Sequence, residues 1–275
     1  MSTKNSVLAL LEKSRDSYLS GEEIAGALGV SRSAVWKAVG SLKTDGYEIS
    51  AVKNRGYTLS IDSNILSIEG ILPYLKTRDA SNDIRVYEEL ESTNKTAKKL
   101  AVSGSGHGTV VIADCQTAGK GHRGKSFYSP PALGLYMSAI INPSLYSLPT
   151  IIDITRLSAA VTAKSITDVC GITPAIKPIN DLFINDKKVC GILTEAVSDL
   201  ESGAVDWAVV GIGVNVGGYG FSAELKNIAT SLFFGSPKKN IRNRLAAEII
   251  NNLLYSTEPA FIQNMLSLYE SLLIR

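Results

Sequence analysis

Histidine is scarce in this chain: His107 and His122 are the only two among 275 residues. Two are too few for a histidine-rich metal site. Cysteine is nearly as rare, and Cys115, Cys170 and Cys190 are odd in number, far apart and never in a Cys-x-x-Cys arrangement. That argues against a disulfide framework or a structural zinc and for a reducing compartment. No apolar run approaches membrane-spanning length, and residues 1–6 lead into no apolar leader with a small-residue cleavage site. A cytoplasmic protein without a membrane partner is expected. Excess charge is also lacking: the net value is +2, so any contact with nucleic acid must come from a local patch. Hydrophobic residues at 45% against 20% charged suit a globular chain long enough for two domains and a sizeable core.

Residues 1–60 read as a separate module. Val7, Leu8 and Leu11 share one helical face. Ser20 caps a second helix, with Glu23 completing a capping box, Ile24, Ala25 and Leu28 lining it, and Gly29 ending it. Ser31 caps a third helix whose buried face is Val35, Ala38, Val39 and Leu42; Gly46 stops it. Tyr47, Ile49, Tyr57 and Leu59 then alternate with polar neighbours about an Asn54-Arg55-Gly56 turn, which predicts a hairpin. Three short helices followed by a hairpin is the order of a winged helix-turn-helix. Candidate DNA contacts are Ser31, Arg32, Ser33 and Lys37 at the start of the third helix, where a recognition helix meets base edges. Lys53 and Arg55 at the hairpin tip suit phosphate. Trp36 fits the exposed face, the core or packing against the hairpin, and a protein-binding module is the alternative.

Residues 61–69 read as a linker and 70–275 as one further domain. Strands are predicted at 84–88, 109–114, 135–141, 175–177, 181–184, 188–197 and 207–216, and helices at 68–75, 92–102, 152–169, 241–255 and 258–273. Tight turns such as Asn185-Asp186-Lys187 imply an antiparallel or mixed sheet. The expected fold class is α+β.

The stretch Gly119-Lys120-Gly121-His122-Arg123-Gly124-Lys125-Ser126 alternates glycine with positive charge between two apolar runs. Glycine lets backbone N–H groups close over an anion, and Lys and Arg add charge. A solvated surface turn is the plain alternative. Dinucleotide and P-loop spacings also fit, but both need a helix beginning at the last glycine, and Pro130, Pro131 and Gly134 oppose one.

Behind the winged helix, further motifs stand in order: Ser92-Thr93-Asn94, Gln116 through Lys125, Lys177-Pro178-Ile179-Asn180-Asp181, Lys188 through Glu195, and Gly211-Ile212-Gly213-Val214-Asn215-Val216. Together, over nearly the whole chain, they resemble the bifunctional biotin protein ligases that also act as biotin repressors. The resemblance implies an enzyme that joins biotin to ATP, giving biotinyl-5′-AMP and pyrophosphate, and then passes biotin to a lysine of a biotin carboxyl carrier protein. It implies a catalytic domain with a mixed sheet akin to class II aminoacyl-tRNA synthetases. It also implies magnesium, operator DNA as a partner, and a homodimer with the adenylate as corepressor. By the same resemblance Lys188, His122 and Arg123 are catalytic. Ser92, Thr93, Asn94, Gln116, Lys120, Gly121, His122, Lys188 and Gly191 hold biotin; Lys125, Phe127, Asn180 and Asn215 hold ATP; Asp181 holds the metal. Lys188 would offset the repulsion between a carboxylate and the α-phosphate. The loop around Lys120–His122 would fold over the adenylate and exclude water. The glycines at 211 and 213 would leave room for the ligand.

Four departures from the family pattern stand out. Lys120, His122 and Lys125 occupy loop positions where arginine is usual; lysine does not fork onto phosphate, and a histidine is mostly neutral near pH 7. The segment 177–181 lacks the usual tryptophan, and Phe127 stands where a tryptophan is usual near the adenine. The sequence ends at Arg275, so the family's C-terminal SH3-like domain is expected to be absent. These changes keep a second reading open: a transcriptional regulator whose ligase-like domain senses biotin, its adenylate or a related carboxylic acid with little or no transfer.

Overall fold

Helices begin in the N-terminal part where a hydroxyl cap meets an apolar stripe. The computed structural model describes residues 2–76, 83–148, 150–198 and 205–274, with backbone alone at 123, 197, 198, 205 and 206. Ser2 caps α1 (Thr3–Lys13). Ser20 caps α2 (Gly21–Leu28), Glu23 closes the capping box, and Gly29 ends the helix at φ 64°. Ser31 caps α3 (Arg32–Thr44), which buries Val35, Ala38, Val39 and Leu42. β1 (Ile49–Val52) and β2 (Gly56–Leu59) pair antiparallel as a hairpin. Val7, Leu8, Leu11, Ile24, Ala25, Ile49 and Leu59 complete one core with α3.

Residues 61–69, expected to be a linker, are packed into this same unit. Ser63, Leu66, Ser67 and Glu69 are buried, and Ser67 caps the short α4 (Ile68–Ile71). The Ser67 N–H donates to Asn243 Oδ1 at 3.1 Å, and Asn243 Nδ2 donates to the Ile65 carbonyl at 2.7 Å. The unit therefore comprises Met1–Tyr74 together with Lys238–Arg244. The helix expected at 68–75 tightens to a 3-10 turn at Leu72–Tyr74, since Pro73 has no N–H to continue an α-helix.

The second unit runs β3 (Ile84–Leu90), α5 (Thr93–Val102), β4 (Val110–Gln116), β5 (Gly134–Ile141), α6 (Ile151–Cys170), β6 (Ala175–Lys177), β7 (Asp181–Ile184), β8 (Lys187–Ser198), β9 (Val205–Asn215), α7 (Ile241–Leu254) and α8 (Pro259–Ser271). The first residues of α7 are counted with the first unit. The sheet order is β3-β4-β5-β9-β8-β7-β6. β3 and β4 pair parallel and the other neighbours antiparallel, so the sheet is mixed. Asn185 and Asp186, at φ 48° and 61°, make the tight turn between β7 and β8.

Register decides what each face carries, because successive side chains alternate. Tyr136, Gly213, Gly191 and Asp181 lie in one row across β5, β9, β8 and β7; Ser138, Gly211 and Leu193 form the next row on the same face. α5 packs Ala97 and Ala101 against Val111, Ile140 and Val209 of that face. α6 lies on the other, with Thr155 Oγ1 donating to Thr194 Oγ1 at 2.8 Å. The glycine row floors a cleft beyond the start of α5. Residues 122–124 make one 3-10 turn, and Lys125 is extended at φ −63°, ψ 144°. No helix begins at Gly124, which rules out both nucleotide loops that require one. No described helix is long and apolar enough to cross a membrane.

Candidate functional site

Two glycines of β9 shape the cleft by what they lack. A Cβ on Gly211 would overlap Asn94 Oδ1, and one on Gly213 would lie 2.7 Å from the Phe127 ring. Both glycines line the cleft, and the space beside them also holds Asn94 and Phe127.

One wall starts at the α5 N-terminus. Ser92 is the cap, so Thr93 and Asn94 sit in the first turn, where N–H groups have no partner inside the helix. The Thr93 N–H and hydroxyl both donate to Gln116 Oε1, at 2.9 and 3.1 Å. A main-chain N–H can only donate, so the Gln116 oxygen faces Thr93. Its nitrogen turns away and donates to Ser129 Oγ at 2.9 Å. Asn94 Nδ2 donates to the Leu193 carbonyl at 3.2 Å and to Glu195 Oε2 at 2.8 Å. Fully buried Ser138 has Asn94 Oδ1 at 2.6 Å and Thr93 Oγ1 at 2.8 Å. Lys98 Nζ holds Glu195 Oε1 at 2.7 Å. Burial pushes the Glu195 carboxyl up, but the hydrogen bonds from Lys98 and Asn94 outweigh it and leave the group below its ordinary value.

On the far side Lys188 Nζ lies 2.6 Å from Asp181 Oδ1. The Lys188 backbone is tied on both sides, donating to the Ile228 carbonyl at 2.9 Å and accepting from the Thr230 N–H at 2.8 Å. Asn180 Nδ2 donates to the Ile192 carbonyl at 2.7 Å. The basic loop closes on itself, with the Gly121 N–H on the Lys125 carbonyl at 2.7 Å and the Phe127 N–H on the Gly119 carbonyl at 2.9 Å.

The cleft lining gathers Ser92, Thr93, Asn94, Gln116, Lys120, Gly121, His122, Lys188 and Gly191, together with Phe127 and Asn180. Lys125 is exposed and outside that lining. The Arg123 side chain lies outside the described residues. Asn215 Nδ2 donates to the Thr230 carbonyl at 3.1 Å. Asn215 lines a neighbouring hollow with Tyr128, Tyr136 and Phe221 instead. Phe127 stands edge-on to Tyr136, centroids 6.4 Å apart, over Gly213. Among the described residues no group of three or more His, Cys, Asp or Glu could hold a metal. Asp181 is a single carboxylate, which fits magnesium held largely by substrate oxygens. Sequence reading misses Ser129, Ser138 and Lys98 and gives Glu195, the last residue of the 188–195 motif, no role; a serine inside the apolar run of β5 was the available signal.

In the first unit Arg32, Ser33 and Trp36 of α3 and Lys53 and Asn54 of the wing line one groove. Trp36 is 67% exposed, which removes the core reading for it. The Ser31 hydroxyl is engaged as a cap, accepting from the Ala34 N–H at 3.2 Å, with Ser33 Oγ at 2.9 Å. Arg32, Lys37 and Lys53 are exposed, and the Arg55 guanidinium stacks 4.2 Å over the Tyr18 ring.

Residues 3–58 match an HTH domain family and residues 86–215 the Biotin/lipoate A/B protein ligase family. The Bifunctional ligase/repressor BirA of Bacillus subtilis (strain 168) is 36% identical over 260 residues, covering 94% of this chain and 78% of that protein. Its namesake in Escherichia coli (strain K12) is 28% identical over 242 residues, covering 88% and 73%. Among solved structures, the biotin protein ligase from Leishmania major in complex with biotinyl-5-AMP aligns over 70% of this chain and 81% of its own, with TM-score 0.53 and 20% identity. The biotin protein ligase from Aquifex aeolicus in complex with biotin and ATP aligns over 69% and 72%, with TM-score 0.51 and 24% identity. These two similarities speak to the fold; the Bacillus relative, similar across both units, speaks to the family. The chain belongs to the family of bifunctional biotin protein ligases and repressors.

Proposed function

We propose that the cleft joins biotin to ATP and passes the biotinyl group to a lysine of a biotin carboxyl carrier protein, and that the winged module binds operator DNA when the adenylate is bound. The observation that carries this is the cleft itself: a fixed ammonium, Lys188, faces a wall of oriented amide and hydroxyl groups at Thr93 and Gln116. In the first step the biotin carboxylate attacks the α-phosphate and pyrophosphate leaves. Two anions must approach, and Lys188 offsets their repulsion. Asp181 holds that ammonium at the floor beforehand.

Ser92, Thr93, Asn94 and Gln116 form the end that takes the fused rings, and Gly191 lies at the other end beside Lys188. Lys120, Gly121, His122 and Arg123 close over the product and exclude water from a mixed anhydride. Asn180 and Lys125 serve the phosphates, while Asn215 and the aromatic hollow beside it serve the base. Asp181 would hold magnesium, which supplies charge neutralisation at the phosphates. In the second step the carrier amine attacks the biotinyl carbonyl and AMP leaves. No covalent enzyme intermediate is needed, so proximity and orientation supply the rate. A homodimer sets the spacing of operator half-sites.

The test mixes the protein with biotin, magnesium-ATP and a carrier domain and follows label onto the carrier. Label on the carrier lysine is expected. Biotin binding with neither ATP–pyrophosphate exchange nor transfer would replace the ligase with a ligand-sensing regulator.

A further inference from the structure

We infer that Glu195 is a positioning residue for the ureido head of biotin: through Asn94 and Ser138 it keeps the Thr93 hydroxyl oxygen open to accept. The inference rests on the proposed function and adds a residue behind the cleft wall to it.

The reasoning is a count of protons. Thr93 has one hydroxyl proton, with Gln116 Oε1 at 3.1 Å and Ser138 Oγ at 2.8 Å both in reach. Ser138 has one proton and two oxygens in reach, Asn94 Oδ1 at 2.6 Å and Thr93 Oγ1 at 2.8 Å. Which one receives it depends on how the Asn94 amide is turned. Glu195 Oε2 and the Leu193 carbonyl are both acceptors on one side of that amide, at 2.8 and 3.2 Å. A flipped Asn94 would set its oxygen against both of them, so Nδ2 stays there and Oδ1 stays toward Ser138. The Ser138 proton then goes to Asn94, the single Thr93 proton is shared between Gln116 Oε1 and the Ser138 oxygen, and a lone pair of Thr93 Oγ1 is left to accept. Gln116 is fixed by the Thr93 N–H at 2.9 Å, so its amide nitrogen, which gives one proton to Ser129, has a second to donate. An acceptor at Thr93 and a donor at Gln116 match the N–H and carbonyl of a cyclic urea.

Lys98 completes the arrangement. Its 2.7 Å ion pair holds Glu195 Oε1, leaving Oε2 for Asn94. Gly211 contributes by absence, since any side chain there would displace the Asn94 amide. Glu195 touches Asn94 and Lys98 and is not in the cleft lining.

The experiment compares wild type with Glu195→Leu and Glu195→Gln, measuring biotin affinity by calorimetry and kcat, biotin KM and ATP KM by pyrophosphate exchange. Losing the acceptor in Glu195→Leu is expected to raise biotin Kd and KM about tenfold, with kcat and ATP KM within about twofold. Glu195→Gln keeps a carbonyl oxygen for Asn94 and is expected within about threefold of wild type. Equal losses in the two variants, an unchanged biotin KM in Glu195→Leu, or a loss confined to kcat would each overturn the positioning role. A wild type that does not bind biotin overturns the proposed function, and this inference with it.

Discussion

Asn94 stands directly over Gly211, in the space that a side chain at 211 would need. An alanine there must push either the Asn94 amide or the β9 backbone. Gly211→Ala is expected to cost about 1–3 kcal/mol of stability, as overpacking of a filled site does. Biotin affinity should fall at least about tenfold, because the amide that orders Ser138 and Thr93 is displaced. Urea unfolding and calorimetry on the same variant measure both effects. A variant with wild-type stability and affinity would show that Asn94 has room to move at no cost.

His122 lines the cleft on the loop proposed to close over the product. His122→Arg adds a permanent charge with a planar fork suited to phosphate. Adenylate release is expected to slow by about tenfold, the worth of one charge-assisted hydrogen bond. Stopped-flow release of biotinyl-5′-AMP reads it directly; an unchanged or faster rate removes His122 from retention.

Arg32 and Lys53 face the same groove from helix and wing. Arg32→Ala should cost about 1–3 kcal/mol on the best operator and relax base preference. Lys53→Ala should weaken all sequences alike and reduce the salt slope by about one. Titrations at several salt concentrations separate the two. If neither variant alters binding, the groove serves a protein partner.

Burial holds the His107 imidazole below its ordinary value of 6.5, partly opposed by a hydrogen bond to the Leu254 backbone. The unfolded chain therefore takes up a proton near that value while the folded chain resists. The stabilisation is fully present above it and declines as pH falls toward the depressed folded value. Melting temperature should drop as pH is lowered from about 7 to about 5.5, and His107→Gln should flatten that part of the curve. Parallel curves for the two proteins would place the acid sensitivity elsewhere.

Much of the fold was legible because its signals are local. The Ser20 and Glu23 capping box, the Gly29 stop and the stripe on α3 lie where capping chemistry and helical period put them. The Asn185-Asp186 turn needs only left-handed backbone at two adjacent residues, which asparagine and aspartate tolerate. The same holds for the helix start at Ser92, one edge of the cleft.

Other features were not legible. Residues 61–69 have the composition of a linker, yet Asn243, 176 positions after Ser67, takes up the backbone there. Lys125 and Asn215 fit the motif but lie outside the lining, since a motif fixes spacing along the chain and not the direction of a side chain. Phe127 occupies the motif position near a base, and in the folded chain it fills the gap over Gly213.

By itself the amino-acid order settled the identity and sequence of the elements, the winged module and the residue types around the cleft, because caps, turns and periodicity act over a few residues. The tertiary structure alone decided that Asn94 meets Leu193 and Glu195, 99 and 101 positions away, and that Ser138 stands behind Thr93 and Asn94. Those contacts depend on strand register and on which glycine leaves a gap, quantities that exist only once distant segments have packed.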